Sequence, residues 1–236
     1  MALILNIETS TDVCSVALSR DGQILFSEVD IEGPSHAKLI GPFIDKALKV
    51  AENLELKPDA ISVSSGPGSY TGLRIGVSIA KGVCYALGIP LISIPTLDLL
   101  TDMFINSIEH SENILIRPVL DARRMEVYTG LYNEKGISIE GAEALIVNEN
   151  SFENELAEKL VYFVGNGSAK LRNVLHSQNA RFVDDLKPLA EAMIKLAEKS
   201  YNKSDFVDVA YFEPFYLKEF IATVSKKNVI PEKMSK

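Results

Sequence analysis

Apolar and polar positions alternate with a two-residue period three times in the first thirty residues, then switch to a helical period. Leu3 to Ile7 reads as an apolar strand and Cys14 to Leu18 alternates. Gln23 to Val29 follows Asp21-Gly22, a strong two-residue hairpin signal, so the sheet is expected to start antiparallel. Ile40, Phe43, Ile44, Ala47, Leu48 and Ala51 recur at helical spacing and predict a helix from about Ser35 to Asn53. Ala60 to Ser64 is a short strand rich in β-branched residues. A glycine-rich turn and a helix running to Gly88 follow it, then another strand. The two strands flanking that helix should pair in parallel, because the helix is their crossover. The pattern predicts a mixed sheet covered by helices.

The opening meander begins again at Ile114. Ile114 to Leu120, the turn Asp121-Ala122-Arg123-Arg124, Met125 to Tyr132, the turn Asn133-Glu134-Lys135-Gly136 and a strand from Ile137 repeat the first order. Helices are expected near Phe152 to Lys159 and near Pro188 to Lys199, with Pro188 in a first turn, and a strand at Val161 to Val164. Two halves that open alike predict a duplicated α/β fold with a cleft between lobes. The expected division is residues 1–107 for the first lobe and 108–224 for the second. The C-terminal part packs back on the first lobe, and 225–236 forms a basic tail.

The turn itself is Ser64-Ser65-Gly66-Pro67-Gly68-Ser69-Tyr70-Thr71-Gly72-Leu73-Arg74-Ile75-Gly76. A strand, a glycine turn and a helix start, with Ser69 or Thr71 as cap, leave backbone amides that suit either an anion or close packing. Gly66, Gly68 and Gly72 have one residue too many for a dinucleotide fingerprint, and Leu73-Arg74 stands where a P-loop needs Lys-Ser/Thr. Packing gains from Gly72, Gly76, Ala80 and Cys84, which recur every fourth residue and flatten one helix face. The rest of this helix is nearly apolar all round, so it is buried on more than one side. Two charges and several glycines argue against a membrane span.

The chain has 236 residues and a charge of −8, which argues against a stand-alone nucleic-acid binder. The exception is the end of the chain, where Lys226, Lys227, Lys233 and Lys236 outnumber Glu232. Cys14 and Cys84 have no metal spacing and read as buried packing thiols. The first residues lack a basic, then apolar, leader, and a cytoplasmic location is expected.

Ile7-Glu8-Thr9-Ser10, the glycine-rich block, Leu120-Asp121-Ala122-Arg123-Arg124 with Tyr128, and Pro214-Phe215-Tyr216-Leu217-Lys218 together resemble the TsaB (YeaZ) family. The resemblance implies a two-lobed, actin-like (ribonuclease H-like) fold, with mixed sheets flanked by helices. It also implies a subunit of the machinery that makes threonylcarbamoyladenosine beside the anticodon of tRNA. The same blocks resemble the paralogous, catalytic TsaD (glycoprotease-like) family, and the differences carry the reading. Where TsaD-like chains bear two metal-binding histidines, this chain has Ile94-Pro95-Thr96-Leu97-Asp98-Leu99-Leu100, and His36, His110 and His176 are scattered. A metal would have to be assembled from Asp98, Glu8, Asp121 and a distant histidine, so none is expected. The Ser-Gly-Gly turn of TsaD-like chains is replaced by Asp121-Ala122-Arg123-Arg124, filling the space a phosphate would need.

The remaining candidates for nucleotide or magnesium are Glu8, Thr9, Ser10, Asp121 and Arg123, with ATP or magnesium expected only at an interface shared with a partner. Arg123 and Arg124 also suit a phosphate or RNA backbone, and Gly165-Asn166-Gly167-Ser168 resembles a remnant adenosine turn. Two functions follow. One is a non-catalytic scaffold that pairs with a TsaD-like subunit through Ile40, Phe43, Ile44, Gly72, Leu73, Gly76, Ala80 and Val83 in a four-helix contact. It would pair with itself when alone, reach tRNA through its partner, admit a TsaE-like ATPase and avoid membranes. The other is a stand-alone ATPase or kinase with Glu8 and Asp121 holding magnesium. A metallopeptidase lacks its metal ligands.

Overall fold

The computed structural model describes residues 2–33, 35–109 and 113–217; the basic tail, His110 and Lys218 lie outside them. In the first half, β1 (Leu3–Glu8), β2 (Cys14–Arg20) and β3 (Gln23–Asp30) precede α1 (His36–Asn53), β4 (Ala60–Gly66), α2 (Tyr70–Leu87) and β5 (Leu91–Pro95). The five strands lie in the order β3-β2-β1-β4-β5. β1 and β2 pair antiparallel, while β1, β4 and β5 run parallel. Asp21 and Gly22 close the first hairpin at φ 51° and 76°, the left-handed backbone that a two-residue turn between twisted strands requires.

After α3 (Thr96–Ser107) the plan recurs. β6 (Ile114–Asp121), β7 (Glu126–Asn133) and β8 (Ser138–Ile146) form a second meander, and α4 (Glu153–Glu158), β9 (Leu160–Val164), α5 (Ser168–Leu171) and β10 (Ala180–Val183) complete it. Its order, β10-β9-β6-β7-β8, is the first sheet's order read from the other edge. The fold is therefore a two-lobed α/β duplication of the ribonuclease H-like kind. The second copy is pared down: α4 and α5 span six and four residues where α1 and α2 each span eighteen.

Alternation along the strands decides what each sheet face meets. Leu5, Ile7, Val16, Ile61 and Val63 point to one side of the first sheet, where α1 brings Ile40, Phe43, Ile44, Ala47 and Ala51 and α2 brings Val77, Ala80 and Cys84. The other side carries Ile4, Ala17, Ala60, Ile92 and Ile94. These residues are covered by Leu99 of α3 and by Ala190, Met193 and Ala197 from the far end of the chain. The opposite flank of α3 presents Leu97, Leu100 and Phe104 to Ile114, Ile116, Leu120 and Tyr132 of the second sheet. So α3 is wedged between the sheets, and the C-terminal α6 (Ile194–Asn202) finishes the first one.

Two expectations are corrected here. Pro188 does not open a helix: the backbone is irregular until a 3₁₀ turn at Ala190–Met193 hands over to α6. The amide of Ala190 donates to buried Ser15 Oγ at 2.9 Å, so a sheet side chain sets where that turn begins. The parallel strand β10 and helix α3 were not legible beforehand, since β10 has four residues and α3 is too evenly apolar to declare a face.

Candidate functional site

The C-terminal end of β1 runs into the turn Glu8-Thr9-Ser10, which lies directly against the glycine-rich turn and the start of α2. A methyl group placed on Gly68 would come within 2.3 Å of the Ser10 carbonyl oxygen, and one on Gly72 within 2.1 Å of the Thr9 carbonyl oxygen. On Gly76 it would lie 2.1 Å from Thr9 Oγ1. The glycines are thus the seat of the chain's own β1–β2 turn. The amides at the start of α2 are spent in the same way. Ser69 N donates to Ser10 O at 2.6 Å, Gly72 N to the capping Ser69 Oγ at 3.2 Å, and Leu73 N to Ser69 O at 2.8 Å. The cradle that a phosphate would need is filled.

Glu8 is wholly buried, and its carboxyl is pushed up to about 7 by burial, against a smaller lowering from hydrogen bonds to Ser10 and Ser64. Oε1 accepts the Ser10 amide at 2.5 Å. Glu8 Oε2, Thr9 Oγ1 and Ser10 Oγ are buried with no hydrogen-bond partner among the described residues. A carboxyl so easily protonated is a poor anionic ligand for magnesium.

The second lobe supplies no complementary half. Asp121 accepts the Arg123 amide at 2.8 Å and the Lys170 ammonium in an ion pair. Methyl groups on Gly165 and Gly167 would meet backbone atoms of Val119 and Leu120 at 2.7 and 3.1 Å, and Asn166 Oδ1 accepts the Asp121 amide. These glycines repeat the packing role of the first-lobe turn. Asp98 accepts the Tyr132 hydroxyl at 2.6 Å, and buried His36 Nε2 lies 3.1 Å from the Val13 carbonyl. Among the described residues no three His, Cys, Asp or Glu side chains gather as a metal site. The residues present do not fit ATP with magnesium.

The chain was compared with known proteins. Its sequence matches the family described as "TsaD: tRNA N6-adenosine threonylcarbamoyltransferase" over residues 31–226. It is 30% identical to the tRNA threonylcarbamoyladenosine biosynthesis protein TsaB of Buchnera aphidicola subsp. Schizaphis graminum, over 72% of this chain and 81% of that one. The chain belongs to the TsaB (YeaZ) family. Escherichia coli TsaB is 29% identical over 93% of this chain and 96% of its own. Among solved structures, a Pseudomonas aeruginosa protein described as having similarity to peptidase YEAZ superposes with a TM-score of 0.77 at 25% identity, covering 92% of this chain and all of that one.

Within this TsaB-family chain the positions expected to meet a partner lie elsewhere. Ile40, Phe43, Ile44, Gly72, Leu73, Gly76 and Ala80 are buried in the chain's own core, and Val83 is half-buried against it. The expectation that they face outward is corrected: the sheet and the Thr9 turn claim that side of α2 first. The outward row is Ser78, Gly82 and Ala86, exposed and four residues apart, flanked by half-buried Ile75, Ile79 and Val83. A methyl on Gly82, or on Gly41 of α1, would have nothing within 4 Å. The helix carries two rows of small residues, and periodicity alone does not say which one the sheet takes.

Sequence reasoning also missed how the chain's end braces this helix. Val207 N donates to Leu91 O at 2.9 Å, Lys81 Nζ donates to the carbonyls of Ala210 and Phe212, and Phe215 N donates to Ser65 O at 2.7 Å. Tyr216 packs on Tyr70 with ring centroids 4.8 Å apart. Residues 207–217 therefore strap one flank of α2 and end over the glycine-rich turn. The motif Pro214-Phe215-Tyr216-Leu217 gave the signal, but nothing in it named its target.

Proposed function

We propose that this chain is a non-catalytic scaffold subunit in the formation of threonylcarbamoyladenosine on tRNA. It pairs with a TsaD-like catalytic subunit through the outer faces of α1 and α2, and with a second copy of itself when that partner is absent. The observation that carries this reading is the outward row Ser78, Gly82 and Ala86 with its apolar borders Ile75, Ile79 and Val83. Small residues in a row let a partner helix approach closely, and the borders supply apolar area to bury. The filled phosphate cradle supports the second half of the reading, that the chain turns over no nucleotide of its own. A TsaE-like ATPase would join at the assembled pair.

Gly82→Leu tests the interface. The added side chain meets open space, and replacing a helical glycine by leucine favours the helix by about 0.5–1 kcal/mol, so the monomer keeps its fold. Co-elution with the TsaD-like subunit from the same cell should be lost; retention of the complex at wild-type stability would remove the assignment. Calorimetry of the isolated chain with magnesium-ATP should show no binding heat, and a one-to-one isotherm would favour the ATPase instead.

A further inference from the structure

The hairpin between β6 and β7 is built in a way its fold role does not require. It is closed by Ala122 N to Glu126 O and Glu126 N to Arg123 O, both at 3.1 Å. Its tip holds Arg123 at φ 72° and Arg124 at φ 53°. A side chain at positive φ crowds its own backbone, and hairpins usually place Gly, Asn or Asp there. The other meander turns of this chain do so, with Asp21-Gly22 in one and Gly136 in the other. Here two arginines occupy consecutive left-handed positions, and both are exposed.

The surroundings of the tip leave those two charges uncompensated. The nearest carboxylate in the turn, Asp121, accepts the Arg123 amide and pairs with Lys170. Lys170 also donates to the carbonyls of Arg124 and Glu126, so a third cation braces the turn from within. Asn166 fixes the base of the hairpin through the Asp121 amide. Neither guanidinium takes part in a salt bridge among the described residues, although the chain as a whole carries a charge of −8. Strain held at an exposed tip by a rigid support is a mark of function. Two guanidinium forks fit the oxygens of phosphodiesters, and a convex tip suits a backbone passing over it better than a small ligand that needs enclosure.

We propose that the Arg123–Arg124 tip is a direct contact for the phosphate backbone of an RNA. The choice of RNA rests on the proposed function; the anion-binding geometry does not. The contact would place tRNA on this subunit as well as on its partner.

The test uses the chain in complex with its TsaD-like subunit, with unmodified tRNA as probe, titrated at several salt concentrations. The Arg123→Gln/Arg124→Gln double variant should bind tRNA about tenfold more weakly at low salt, with a log–log salt slope shallower by about two, one for each phosphate released. Arg123→Lys/Arg124→Lys should recover most of the affinity. Arg123→Gly/Arg124→Gly should melt at a higher temperature than wild type while losing the same RNA contact. Equal slopes for wild type and the glutamine variant in an intact complex overturn the proposal, as does a glutamine variant that loses its protein partner but keeps tRNA. If the wild-type chain forms no complex, the scaffold reading has failed. The same titration on the chain alone then decides the tip, equal slopes again counting against it.

Discussion

Gly76→Ala is the sharpest probe of how the β1–β2 turn is seated. The new methyl would lie 2.1 Å from Thr9 Oγ1, with Thr9 Cβ and Cγ2 at 3.3 Å, so the threonine would have to move by more than an ångström. It has little room, because Thr9 is wholly buried and a β-branched side chain has few rotamers to escape into. Overpacking of this severity costs about 3–4 kcal/mol, and the better helix propensity of alanine returns about 1, leaving a loss of about 2–3 kcal/mol. For a chain of this size that is a fall of about 5–10 °C in melting temperature.

Thr9→Ala alone removes a buried hydroxyl that has no partner among the described residues and should be nearly neutral. In its presence Gly76→Ala should cost little, because the clashing atom is gone. Gly72→Ala is the control: its methyl would strike the Thr9 carbonyl oxygen at 2.1 Å, which no side-chain change removes. A double-mutant cycle by urea denaturation should therefore give a coupling above about 1.5 kcal/mol for Thr9 with Gly76 and near zero with Gly72. Equal couplings, or a harmless Gly76→Ala, would refute the seating of Thr9 on α2.

Three further outcomes are expected. The Glu8 carboxyl holds its proton up to about pH 7 when folded against 4.5 when free, so its contribution is fully present below about pH 4.5 and is lost as pH rises through 7. Unfolding of wild type and Glu8→Gln at pH 5 and pH 8 should show wild type losing about 3 kcal/mol relative to the variant, and parallel pH profiles would contradict the burial argument. Arg117 is buried, pairs with Glu140 and Glu155 and stacks over Phe152 at 4.7 Å, so Arg117→Ala should lower the unfolding free energy by about 3–5 kcal/mol in urea melts; a loss under 1 would show that the pairs are solvated. Burial pushes the thiols of Cys14 and Cys84 up to about 11 and about 12, so neither should react with a thiol reagent until the chain is denatured, and rapid labelling of the native protein would place one at the surface.

The first sheet was legible because its strands are short, β-branched and punctuated by turns such as Asp21-Gly22, while α1 declares its face at Ile40, Ile44, Ala47 and Ala51. The duplication was legible from two meanders of similar spacing. What the sequence hid is contact between distant segments. Pro188 looked like a helix start because proline suits a first turn, yet Ser15, far away in sequence, sets where that helix begins. The glycines of α2 showed that something approaches closely. They did not show whether the visitor was a phosphate, a partner helix or the chain's own Thr9, since all three need a missing Cβ. Choosing the inner small row as the outer one followed from the same ambiguity, and only the sheet's position resolves it.

The wedge of α3 between the sheets and the late covering of the first sheet by α6 have a consequence during synthesis. When Pro95 has been made, Ile4, Ala17, Ala60, Ile92 and Ile94 are paired in strands but one side of that sheet is bare. The residues that cover it, Ala190, Met193 and Ala197, come roughly a hundred positions later, about 5–20 s at typical elongation rates. A nascent chain stalled between those points would display an apolar sheet face that a chaperone or another nascent copy can grasp. For this protein the hazard is one of timing, and it ends only when the last helix leaves the ribosome.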